Sequence, residues 1–198
     1  GDKDIFLVKY NASGDRQWTR QLGTAAEDVG YGVALDSSGN IFVTGSTSAS
    51  LDNQTYSGNS DIFLVKYDDN GTKHWTKQLG TTSQDVAYGV TVETRGHIYV
   101  TGFTKGNAWP ITGYSDNVSN SGNSDVFLVK YYDNSTLDWT ELLGTSSSNK
   151  AEEGRSVTVD SASPSSYLYL TGLTEGALYG SNSGNYDVFL AKYTVGGS

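Results

Sequence analysis

Apolar positions along this chain form a recurring series, and its clearest member is a short unbroken run. Four such runs, each led by Asp and closed by Lys-Tyr, occur at Asp4 to Tyr10 (DIFLVKY), Asp61 to Tyr67 (DIFLVKY), Asp125 to Tyr131 (DVFLVKY) and Asp187 to Tyr193 (DVFLAKY). The run is too short for a helix that buries itself. Rich in Ile, Val, Leu and Phe and led by turn-forming Ser, Gly and Asn, it predicts a strand buried on both faces. The Lys and Tyr at its end are expected to reach toward solvent. Its copies start 57, 64 and 62 residues apart, a spacing that holds several strands and marks a repeat protein.

Three other strand signals separate the copies. A Trp-bearing segment follows each turn, at Arg16 to Gly23 (RQWTRQLG), Lys73 to Gly80 (KHWTKQLG) and Asp138 to Gly144 (DWTELLG). Trp18 shares a face with Arg16 and Arg20, so this strand reads as mixed and less buried. Next comes Asp28 to Asp36, with counterparts at Asp85 to Glu93 and Glu152 to Asp160. Val29, Tyr31, Val33 and Leu35 predict one bulky face, while Gly30, Gly32 and Ala34 leave the other nearly bare. That asymmetry suits the innermost strand of a radial assembly, where strands crowd. Asp36 to Asn40 predicts a tight hairpin turn, and Ile41 to Gly45 its return strand, repeated at Ile98 to Gly102 and Tyr167 to Gly172. Naming these strands A (bare-faced), B (return), C (DIFLVKY) and D (Trp), the chain reads C-D, A-B-C-D, A-B-C-D, A-B-C. That order makes 13 strands with helix content close to nil. Residues 46–60 and the longer 103–124 are polar connections.

Composition agrees with many short strands joined by turns: 24 Gly and 14 Tyr in 198 residues, with 18% charged residues. We expect one repeat domain over residues 1–198, large enough to bury a core. The formal charge of -9 arises from dispersed acids and, with no basic patch, argues against nucleic acid and anionic membranes as partners. The chain has no Cys, which excludes disulfides, thiolate nucleophiles and cysteine-ligated metals. No apolar run approaches the roughly 20 residues needed to span a bilayer, so membrane insertion is not expected. No signal-peptide pattern is present, and the start at Gly1 with no Met leads us to expect a processed or excised segment.

The ordered series D-x-F-L-x-K-Y, G-T-x-x-W-T-x-x-L-G-T and D-x-x-x-G-V-x-V-D-x-x-G-N-I-Y-V-T-G-x-T resembles the bacterial β-propeller repeats called SBBP repeats. Asp61 to Thr104 matches best, with Glu93 in place of Asp and Arg95-Gly96-His97 in place of Ser-Gly-Asn. The third unit departs further, its turn widened over Ser161 to Ser166. The resemblance implies four-stranded blades around an axis, and an exported or cell-surface protein. It brings no catalytic residue set. A closed propeller takes roughly 4 to 8 blades, whereas this chain holds about three and a quarter repeats. The expected fold is therefore all-β, with blades of four antiparallel strands in an incomplete or multi-chain-completed ring. Self-association, the remainder of a longer propeller, and a compact latched four-bladed ring remain alternatives for its closure.

Candidate chemistry is sparse. The recurrent Trp18, Trp75 and Trp139 suit blade packing better than a sugar platform. Asp28, Asp85 and Glu152 open strand A, and Asp36, Glu93 and Asp160 close it. No cofactor is expected, although such acids would suit calcium, and turn Asp residues accept backbone N–H bonds without any metal. Asp68 to Thr72 resembles an Asp-box hairpin. Asp4, Asp61, Asp125 and Asp187, with Lys9, Lys66, Lys130 and Lys192 five residues on, predict a charge ladder between neighbouring strands or blades. Tyr56, Trp109, Tyr114 and Tyr179 lie in the long B-to-C connections amid Ser, Asn and Gly, a mixture suited to glycan or surface-protein contact. His74 and His97 form no repeated catalytic arrangement, and neither a G-x-S-x-G nor a G-x-G-x-x-G motif is correctly placed. The expected function is a non-catalytic extracellular or cell-surface interaction module. A lectin-like propeller and a carboxylate hydrolase are the alternatives.

Overall fold

The computed structural model describes residues 1–107, 122–145, 149–160 and 166–196. Thirteen strands occur in these residues, in the order expected. They are β1 (Ile5–Tyr10), β2 (Arg16–Leu22), β3 (Asp28–Leu35), β4 (Ile41–Thr47), β5 (Asp61–Tyr67), β6 (Lys73–Leu79) and β7 (Asp85–Val92), followed by β8 (Ile98–Thr104), β9 (Asp125–Tyr131), β10 (Leu137–Leu143), β11 (Glu152–Asp160), β12 (Tyr167–Thr174) and β13 (Asp187–Thr194). They form antiparallel sheets β1-β2 (C-D), β3-β4-β5-β6 and β7-β8-β9-β10 (A to D outward) and β11-β12-β13 (A to C). The sole helical element among the described residues is a one-turn 3-10 segment, Leu51–Asn53, and none of their helices is long and apolar enough to cross a membrane.

The blades stack through three apolar joints. Ile5, Val43, Leu51, Phe63 and Val65 fill the first. Phe42, Ile62, Leu64, Ile98, Phe127 and Val129 fill the second. Tyr99, Val126, Leu128, Leu168, Leu170 and Phe189 fill the third. Strands β5 and β9 supply both of the joints beside them: alternate side chains enter opposite joints, so an unbroken apolar run is what a middle strand needs. The inner strands β3, β7 and β11 lie side by side. The bare positions sit where that crowding is greatest, with Gly32 against the Tyr88 carbonyl and Gly89 against the Ser156 backbone.

The closing Lys and Tyr correct an expectation. Lys66, Tyr67, Lys130 and Tyr131 are buried, and do not reach into solvent. Each ammonium lies over the aromatic ring of its B-strand neighbour, Lys66 Nζ 5.5 Å from the Phe42 ring centroid and Lys130 Nζ 5.9 Å from that of Tyr99. The same ammonium groups also reach polar partners at the rim. Lys9 and Lys66 ion-pair with Asp69 and Asp133, in the C-to-D turn of the following blade. Lys130 meets Asp138 at 2.9 Å and the Val195 carbonyl at 3.3 Å. The charge ladder therefore exists, but turn carboxylates (Asp69, Asp133) and the D-strand Asp138, not the strand-leading Asp residues, complete it.

Trp18 and Trp75 reinforce the same joints. Their indoles donate to the carbonyls of Asp69 and Asp133 at 3.1 and 3.2 Å while their rings pack on the adjoining apolar clusters. Trp139 is buried and tilts against Tyr99. These residues hold blades together, as packing requires. The B-to-C connection 46–60 is also anchored, because Leu51 is fully buried and Asp52 pairs with Lys73 and Thr76.

Among the described residues, five turns of one shape join strands C to D and A to B. In each, the first residue accepts an N–H from the fourth, which takes a positive φ: Gly14, Gly39, Gly71, Gly96 and Ser135. Asp36 and Asp68 also accept two backbone N–H groups each through a side-chain oxygen. Ser135 holds φ 71° without the freedom of glycine. Ser135→Gly is therefore expected to stabilise the fold by about 0.5–1 kcal/mol, and Gly39→Ala to destabilise it by about 1 kcal/mol, as read by urea unfolding.

A candidate recognition cleft on the loop face

Every B strand ends, and every A and C strand begins, on one face of the blade array, so the long B-to-C connections share that face. Two structural devices build it. The acid that opens each A strand is clasped by two threonines. Asp28 accepts from the backbone and hydroxyl of Thr24 and from Thr47. Asp85 accepts from the backbone and hydroxyl of Thr81, and its carboxyl is held up from the ordinary value by burial, against hydrogen bonds from Thr104 and Thr81. Glu152 accepts from Thr145 and Thr174. These carboxylates are spent on the scaffold. Among the described residues, no group of three or more His, Cys, Asp or Glu stands together to hold a metal.

The second device is a bulge in every A strand. Pairing with the B strand skips Tyr31, Tyr88 and Arg155, the fourth residue of the strand in each case. The strict alternation expected from Val29 to Leu35 is thus broken at Tyr31. The displaced carbonyl needs room, and a Cβ at Gly45, Gly102 or Gly172 would lie only 1.8–1.9 Å from the carbonyl of Val29, Val86 or Glu153. Beside each of these glycines, Thr44, Thr101 or Thr171 donates to the C-strand carbonyl of Phe63, Phe127 or Phe189 at 2.6–2.8 Å. The recurrent Thr-Gly of the B strand is therefore the counterpart of the bulge.

The three skipped side chains meet one another. Tyr31 and Tyr88 make an edge-on contact at 5.1 Å, and the Arg155 guanidinium lies 4.3 Å over the Tyr88 ring. Phe103 tilts against Tyr88 at 6.0 Å, and Glu153 ion-pairs with Arg155. Burial, then the nearby Glu153, pushes the Tyr88 hydroxyl above its usual pKa. Between the second and third blades a cleft of about 460 Å³ opens beside this row, lined by Glu27, Tyr31, Asn59, Gln84, Tyr88 and Phe103 among others. Tyr31 remains 51% exposed. The cleft thus offers an aromatic surface ringed by amides, hydroxyls and one carboxylate.

The sequence-derived residues fall elsewhere on this face. Tyr56 is half-buried, its hydroxyl held above the usual pKa by burial and by Asp61. Tyr179 is exposed and lines a separate cleft of about 260 Å³ on the fourth blade with Leu178, Asn182 and Asp187. Trp109 and Tyr114 lie outside the described residues. The cleft residues Tyr31 and Tyr88 were not candidates from sequence, although Tyr31-Gly32, Tyr88-Gly89 and Arg155-Ser156 share one register. On the opposite face, His97 bonds the buried Glu93 at 2.9 Å and meets Tyr132 edge-on, which ties two turns of the third blade together. Burial raises the Glu93 carboxyl, but hydrogen bonds from His97 and Tyr99 outweigh it and leave the pKa below normal.

Comparison with known proteins agrees with this architecture. Residues 17–52 and 74–107 match the family described as SBBP, Beta-propeller repeat. Over 176 residues, 78% of this chain and 13% of the relative, it is 27% identical to an uncharacterized WD repeat-containing protein of Acanthamoeba polyphaga mimivirus. Over 139 residues, 66% of this chain and 14% of the relative, it is 27% identical to the regulatory protein FlaEY of Caulobacter vibrioides. The chain spans only 13–14% of the length of these curated relatives.

If the row at the bulges serves recognition and not folding, its removal should be mild. Tyr31→Ala is expected to cost less than about 1.5 kcal/mol, whereas Tyr99→Ala, which empties a buried joint, should cost about 3–5 kcal/mol. Thermal and urea unfolding of the two variants would check this contrast.

Proposed function

SBBP beta-propeller repeats occur in the chain at residues 17–52 and 74–107, and from that premise we propose that it is a non-catalytic recognition module displayed outside the cell or at its surface. Rigid blades carry the loop face, and the loop face makes the contact. The row Tyr31, Tyr88 and Arg155 is the observation that supports this reading. These side chains are set by three bulges at one register, and Tyr31 and Tyr88 line an accessible aromatic cleft.

The same cleft favours a carbohydrate as the partner. An exposed Tyr face suits the C–H face of a sugar ring, and Asn59, Gln84, Ser46, Ser48 and Glu27 supply hydrogen-bond groups around it. Hydrolysis draws no support here, because Glu27 is the one carboxylate in this lining and glycoside cleavage uses two. Screening the folded chain on a glycan array tests the reading. Binding to a defined sugar class is expected, with loss of about tenfold or more in Tyr31→Ala and Tyr88→Ala at nearly unchanged melting temperature. A flat array from folded protein, or binding indifferent to both substitutions, would remove the carbohydrate reading.

A further inference from the structure

One joint of the loop face carries amide groups that the scaffold does not use. The segments leading into the first three C strands each bridge in parallel to the segment leading into the next A strand, through Lys3 and Glu27, Ser60 and Gln84, and Ser124 and Ala151. At the second bridge the Asp85 amide donates to the Ser60 carbonyl at 2.9 Å, and the Asn59 amide donates to the Ser83 carbonyl at 3.1 Å. The main chain therefore fixes Asn59 and Gln84 on adjoining segments, and both residues line the cleft with Tyr31.

Their side chains are not committed to the fold. Among the described residues, neither side-chain amide has a hydrogen-bond partner. Amides elsewhere are spent on the scaffold, Asn40 donating to Asp36 at 2.7 Å and Gln78 to Asp61 at 2.9 Å. At the third bridge the corresponding Asn123 donates to the Asn149 carbonyl at 3.3 Å, and Ala151 stands in the place of Gln84. At the first bridge Asp2 and Glu27 hold these places, and Glu27 ion-pairs with Lys3. Of the three bridges, the second alone presents two uncommitted amides.

The wall beside them is apolar. Val29, Tyr31, Val86 and Phe103 border the same cleft, while Ser46 and Ser48 occupy the register that Phe103 and Lys105 hold one blade later. An organic cation is a poor occupant, because the Tyr88 ring already carries the Arg155 guanidinium at 4.3 Å and the Phe103 ring the Lys105 ammonium at 5.7 Å. A side-chain amide both donates and accepts. An acetamido group offers a carbonyl, an N–H and a methyl together, and this lining holds a counterpart for each.

Resting on the carbohydrate reading, we propose that the cleft selects a 2-acetamido sugar, with Asn59 and Gln84 bonding its amide and its methyl against the wall of Val29 and Phe103. A plain hexose would leave that wall uncovered, and an amino sugar would bring a charge without the methyl.

Titration of the folded chain, followed by 1H–15N NMR, with the methyl glycosides of N-acetylglucosamine, N-acetylgalactosamine, glucose, galactose and glucosamine tests the proposal. At least one N-acetylated sugar should bind about tenfold or more tightly than its parent hexose, and the side-chain NH2 signals of Asn59 and Gln84 should shift with it. Asn59→Ala and Gln84→Ala should each reduce that preference to about threefold or less, whereas Tyr31→Ala should weaken every sugar and keep the preference. Asn59 is exposed, so Asn59→Ala should melt within about 2 °C of the parent. A hexose bound as tightly as its N-acetylated form, or a preference that survives both amide substitutions, would overturn the proposal and leave the carbohydrate reading standing. No binding of any of these sugars at about 10 mM would overturn both.

Discussion

Burial of β5 and β9 on both faces is the constraint from which the other features follow. A strand covered on two sides cannot use alternation to tell core from solvent, so it becomes a continuous run of Ile, Val, Leu and Phe. Its alternate side chains then belong to two different joints, and each blade depends on the next. Phe63 packs with the first blade while Ile62 and Leu64 pack with the third. The polar ends of these strands are drawn into the same joints, through the Lys ammonium over an aromatic ring and its polar partners at the rim. Lys66 is 8% exposed, so its charge is tolerable only because Asp133 and the Phe42 face meet it.

Crowding of the inner strands has a second consequence. Bare positions at Gly32 and Gly89 let the A strands approach, and the bulge at each of them turns one side chain out of the ladder. The scaffold motifs and the cleft are therefore consequences of one arrangement. Thr-Gly in the B strand leaves space for the bulged backbone, the bulge places Tyr31, Tyr88 and Arg155 in a row, and the row borders the cleft. A substitution that fills the glycine position would disturb the cleft without lining it.

Much of this architecture was legible in the residues. The 13 strands and their order followed from apolar runs, alternation and turn chemistry, because these local signals agreed with the tertiary packing. The fate of Lys66 and Lys130 was not, since only the structure shows which aromatic ring lies beneath each ammonium. Tyr31 was placed on a bulky face by simple alternation, which a bulge interrupts. The repeated Thr-Gly opposite Tyr31-Gly32 was the available signal, but its meaning depends on a neighbouring strand. Tyr56 and Tyr179 were read as loop aromatics, and the structure sets them apart, the first half-buried and the second on a separate cleft. The cleft lies between two repeats, where the pattern within one repeat is silent.

The central claim is that coverage on both faces, more than strand sequence, sets the stability of each C strand. Native-state hydrogen exchange compares like with like, because β9 (DVFLVKY) and β13 (DVFLAKY) are nearly identical in sequence while Leu128 is 2% and Leu190 71% exposed. Amides that β9 donates within its sheet should exchange at least about a hundredfold more slowly than the equivalent amides that β13 donates to β12. Equal protection in the two strands would contradict the account.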